Sequence, residues 1–61
     1  LDLSDEEKNI VDLLQETPEG IQINTLLVKA NIPIHHMSPL LFELEMKGVV
    51  RALAGGIYQL I

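Results

Sequence analysis

A helix that runs into Asn31-Ile32-Pro33 has to stop there, and the chain that leaves must turn at once. Asn tolerates the left-handed conformation that closes a helix, and a Pro two residues later cannot continue one, lacking both the N–H and the steric room. Leu26, Leu27, Val28 and Ala30 give a helical apolar stripe before this break, with Asn24 placed to cap it. Met37, Leu41 and Leu44 repeat at helical spacing after it. The chain therefore holds two short helices joined by a tight turn over residues 31–34.

The later helix is expected to begin between His35 and Pro39, because Pro is tolerated only in a first turn. Ser38 is a ready cap for a late start, or one of the two histidines for an early one. Gly48 stands where a C-terminal glycine belongs, with Lys47 beside the negative end of the helix dipole. Near the N-terminus, Ser4 and Glu7 form a capping-box pattern, and Asp5, Glu6 and Glu7 suit the positive end of a dipole. With Ile10, Val11, Leu13 and Leu14 they predict a helix over residues 5–15, broken by Thr17-Pro18-Glu19-Gly20. Ile21-Gln22-Ile23 alternates as a minimal strand, and residues 49–53 and 57–60 are β-type runs around Ala54-Gly55-Gly56.

Helix, short strand, helix, tight turn, helix, two-strand hairpin is the order of a winged helix-turn-helix. The expected class is mainly α within α+β, with three helices, a small antiparallel sheet and a C-terminal hairpin wing. An isolated hairpin is barely stable in water, so its apolar side must lie on the helices. The 61 residues make one domain, 48% hydrophobic, of a size that buries only roughly 60% of its unfolded surface. No cysteine is present for a disulfide or thiolate site, and no run is apolar and long enough for a signal peptide or membrane helix. A cytoplasmic origin is expected, and the absence of an initial Met suggests the C-terminal fragment of a longer protein.

Charge restricts the partners. Nine acidic residues against Lys8, Lys29, Lys47 and Arg51 give a formal charge of −5, which disfavours autonomous binding to phosphate. At about 100° per residue, Met37, Leu41, Leu44 and Gly48 share one side of the third helix, with Leu40 at its margin. Pro39, Phe42 and Met46 fall roughly opposite, beside Glu43. In helices that read DNA that outward face carries Arg, Lys, Asn or Gln. Pro39, Phe42, Glu43 and Met46 instead form a candidate protein interface; the competing reading folds Phe42 and Met46 into the core against the hairpin or the first helix. His35, His36, Lys47 and Arg51 are the candidates for weak DNA contact. The adjacent histidines point about 100° apart with no Cys to complete a metal site, and no phosphate loop, nucleophile elbow or acid-base pair is present. No catalytic residue, metal or cofactor is expected.

The stretches "LSDEEKNIVDLL", "GIQINTLLVKANIP" and above all "LLFELEMKGVVRALAGGIYQL" resemble the C-terminal winged-helix domain of the DNA-processing protein A family (DprA, also called Smf). The resemblance covers nearly the whole chain. It implies a cytoplasmic recombination mediator whose larger, Rossmann-like domain binds single-stranded DNA and hands it to the bacterial recombinase during natural transformation. This domain would be its accessory module, contacting that Rossmann-like domain, another subunit, recombination proteins or duplex DNA. The family's wing often reads L-P-G-G followed by a basic residue, whereas this chain has Leu53-Ala54-Gly55-Gly56-Ile57, without the rigid Pro and without the cation. The expected role is an accessory module acting mainly through protein contacts. A DNA-binding domain of a transcriptional regulator is the alternative.

Overall fold

The computed structural model describes residues 2–61. The first helix, α1 (Asp5–Gln15), opens on the capping box: Glu7 N–H donates to Ser4 Oγ at 3.1 Å, and Ser4 N–H donates to Glu7 Oε1 at 2.9 Å. Two of the otherwise orphaned donors at its end are thereby satisfied. After the Pro18 break the chain reaches β1 (Ile21–Gln22), α2 (Ile23–Ala30), α3 (Ile34–Met46), β2 (Val50–Leu53) and β3 (Ile57–Leu60). The three strands form one antiparallel sheet in the order β1-β3-β2. This is the winged helix-turn-helix that the order of elements predicts.

The sheet works because Gly20 lets the chain pass close to β3. Its φ is 102°, and a Cβ there would stand 2.7 Å from the Ile57 side chain and 2.9 Å from the Tyr58 carbonyl oxygen. β1 then pairs Ile21 with Tyr58 and Gln22 with Ile57. It is one residue shorter than expected, since Ile23 belongs to α2. The Ile23 N–H donates to the Gly56 carbonyl of the wing tip at 2.8 Å, so the first turn of α2 is partly satisfied by the sheet. Gln22, not Asn24, supplies the side-chain cap: its Oε1 accepts from Asn24 N–H at 2.8 Å.

Asn31 closes α2 in the left-handed conformation, at φ 56° and ψ 44°. Ile32 N–H donates to the Leu27 carbonyl and Asn31 N–H to that of Val28, the paired bonds of a Schellman motif. The turn is so tight that α3 starts at Ile34, earlier than the composition suggests, with extended Pro33 as its cap residue and no side-chain cap. Neither histidine nor Ser38 caps it. Pro39 consequently sits in the second turn, where its ring withholds a hydrogen bond from the His35 carbonyl. His35 is an exposed residue, and the helix continues through Pro39 to Met46. α3 ends at Met46, ahead of Gly48 at φ 76°; Val49 N–H to Leu44 and Gly48 N–H to Glu45 complete a second Schellman motif.

The largest fully buried side chains are Ile10 and Leu14 from α1, Leu26 from α2, Met37, Leu41 and Leu44 from α3, and Val50 from β2. Each stabilises the fold by about 1.5–3 kcal/mol through its removal from water. Partly buried Tyr58 and Leu60 of β3 cover this cluster, so the wing is anchored by its apolar side. One face of α3 is spent on this packing. The other is left open.

Candidate functional site

The open face of α3 is apolar. Phe42 is 62% exposed and Met46 71% exposed, with exposed Pro39 one turn before. These positions lie within about 60° of one another around the helix axis, so they form one stripe of roughly two turns. Folding into the core is therefore excluded for Phe42 and Met46 in this domain. Glu43 and Glu45 are exposed on either flank, each three residues from a member of the stripe and so its neighbour on the helix surface. α3 carries no Lys or Arg.

The cations stand elsewhere. Lys47, read from the sequence as a candidate DNA contact, is occupied: its Nζ lies 3.0 Å from both carboxylate oxygens of Glu7 and 3.2 Å from the Asp2 carbonyl. Glu7 is only 4% exposed, so its second role, as the buried half of an ion pair across the ends of α1 and α3, adds to the capping role read from the sequence. Donation from the Ser4 backbone, then from Lys47, holds its carboxyl below the usual value of 4.5, against the opposing effect of burial. Such a pair aligns the helices but leaves Lys47 unable to reach a phosphate without stranding a buried charge. Arg51 is exposed on β2, facing Gln59 across the strand pair, and remains available.

His35 and His36 are both exposed in the first turn of α3, their rings edge-to-face with centroids 4.9 Å apart. Among the described residues, no group of three or more His, Asp or Glu side chains is arranged to hold a metal ion. His36 borders a shallow cleft of about 250 Å³ between α1 and α3, lined also by Glu6, Pro39, Leu40 and Glu43. Glu6 is the member that sequence reasoning missed. It reads locally as a dipole residue, and only the packing of α1 on α3 brings it beside Glu43. A second open groove, of about 300 Å³, lies at the α2–α3 turn, where Val28 is 80% exposed beside Leu27, Ile32 and Pro33.

Among the described residues no helix is long and apolar enough to cross a membrane. Neither the comparison with curated proteins nor that with solved structures returned a significant match. A family profile described as DprA winged helix domain matches residues 1–56, which takes in all three helices, β1, β2 and the wing tip, and stops short of β3. With that match over most of its length, and with the three helices and antiparallel wing in place, this chain belongs to the DprA winged helix domain family.

Proposed function

We propose that this chain is the accessory C-terminal module of a DprA-like protein serving DNA uptake, natural transformation and recombination in the cytoplasm, and that it works mainly through protein contacts. The observation that carries this reading is the outward face of α3, where a DNA reader would present cations and amides and this chain presents Pro39, Phe42 and Met46. Aromatic and Met side chains are enriched at the buried centres of protein interfaces, whereas Lys and Arg supply most non-specific affinity for DNA. The module is a binding domain with no catalytic role. Its partner is the Rossmann-like domain of the parent protein or another subunit, and DNA reaches it through the parent.

A second reading has one observation behind it. Arg51 is exposed on a wing strand, and a helix-turn-helix is a fold that many transcriptional regulators use to enter the major groove. Duplex DNA titrated into the isolated chain at about 50 mM salt separates the two, because phosphate contacts are strongest there and fall steeply as salt rises. The expected result is no saturable binding. Saturable, salt-sensitive binding that Arg51→Ala abolishes would make the domain a DNA reader. Arg51 is the better probe than Lys47, whose substitution also breaks the pair with Glu7.

A further inference from the structure

The open face of α3 also says which kind of protein surface it suits. Pro39, Phe42 and Met46 are flanked by Glu43 and Glu45, and the adjoining cleft brings in Glu6. Among the described residues the one ion pair is Lys47 with Glu7, so Glu6, Glu43 and Glu45 have no cation of a described residue within 4.0 Å. A second copy laid on this face would set these carboxylates against their own equivalents, on domains that each carry −5. Nucleic acid meets the same repulsion. A small molecule is poorly served as well, since about 250 Å³ is below the usual size of a ligand pocket and fits a single side chain.

We infer that the stripe receives a basic amphipathic helix from another protein surface, an apolar anchor bordered by Lys or Arg. This rests on the protein-contact reading above and names the chemistry of the partner. The anchor lies on Phe42 and Met46, in the manner of an amphipathic helix read through positions i, i+3, i+4 and i+7. A flanking Lys or Arg runs its aliphatic stem over Pro39 and Leu40 and delivers its charge to Glu6 and Glu43. Charges at the rim set orientation and encounter rate, and the apolar centre sets residence time.

The test titrates the 61-residue chain with three synthetic helical peptides that share one Leu/Trp stripe and differ only in Lys, Gln or Glu flanks. The Lys peptide is expected to bind at least ten-fold more tightly than the Gln peptide, with the Glu peptide weakest, and added salt should narrow the gap. Phe42→Glu should weaken the Lys peptide at least ten-fold, and Glu6→Gln and Glu43→Gln a few-fold each, with thermal melts verifying the fold. Met46→Glu replaces Phe42→Glu if the latter melts early. Equal binding of the Lys and Gln peptides at Phe42 would overturn the charge assignment and leave the protein-contact reading standing. Binding of the Lys peptide that ignores both apolar-face substitutions would mean diffuse attraction to an acidic domain and overturn the site. Concentration-dependent sedimentation removed by Phe42→Glu gives the face to a second copy and overturns the inference alone, whereas duplex DNA that perturbs α3 overturns both.

Discussion

Lys47→Met is the most informative perturbation of this domain. It keeps much of the aliphatic stem while removing the cation that lies 3.0 Å from both oxygens of Glu7. Losing one partner of a fully buried pair costs about 3–5 kcal/mol, because the other charge is stranded. Here the Lys47 side chain is 27% exposed against 6% for Glu7, and Glu7 retains the Ser4 N–H, so about 2–3 kcal/mol is the reasoned loss. For a chain of 61 residues the whole stability is about 3–9 kcal/mol, and each kcal/mol moves the melting temperature by about 4–8 °C. Thermal unfolding followed by circular dichroism at neutral pH should therefore show a drop of about 8–24 °C.

The same pair has a pH signature. Glu7 titrates below the usual 4.5 in the folded state, so its contribution is complete above that value and is lost as pH falls through the folded pKa. The gap between the native chain and Lys47→Met should close across that acidic window. Adding Glu7→Gln to Lys47→Met should recover part of the loss at neutral pH, since a neutral amide can still accept from Ser4. A Lys47→Met variant that melts within about 1 °C of the native chain would refute the reasoning and return Lys47 to the pool of free surface cations.

Other substitutions separate the two faces of α3 and test the sheet. Leu41→Ala should cost about 2–5 kcal/mol in denaturant titrations and unfold much of the population, whereas neighbouring Phe42→Ala should stay within about 1 kcal/mol. Gly20→Ala should cost more than Gly55→Ala in the same assay. Both residues have positive φ, but only at Gly20 would a new Cβ strike backbone, 2.9 Å from the Tyr58 oxygen, while Gly55 has open space. Gln22→Ala should remove about 1 kcal/mol by uncapping α2, and Asn24→Ala almost nothing.

The parts of this fold that were legible are those whose cause is local. Ser4 and Glu7 sit three residues apart, and Gly48 stands at the helix end it closes, so α1 and the end of α3 follow from neighbours in the chain. The start of α2 misreads because Ile23 N–H is taken by Gly56, across the sheet, and no local pattern at residues 21–24 reports it. Pro39 misleads differently. The rule against interior proline assumes the freed carbonyl is costly, and here it belongs to an exposed residue. For the site, helical period alone placed Pro39, Phe42 and Met46 outward. The pairing of Lys47 with Glu7 and the sharing of one cleft by Glu6 and Glu43 depend on how α1 packs on α3 and are invisible along the chain.

Exposure on α3 carries one more consequence. A residue that is 62% exposed and outside the core cluster contributes little to stability, so the fold would accept Glu, Lys or Gln in place of Phe42. Polar residues there would also raise solubility, since contiguous apolar surface promotes association. Folding therefore does not dictate an aromatic ring at this position or a thioether one turn later at Met46. The opposite face of the same helix is the one the fold requires, held by buried Met37, Leu41 and Leu44. If a Phe42→Gln, Met46→Gln double variant keeps its melting temperature within a few degrees and loses the Lys-flanked peptide, folding and recognition are separable on one helix. If it loses both, the stripe belongs to the fold and the interface must be sought elsewhere, first at Val28 and the groove beside it.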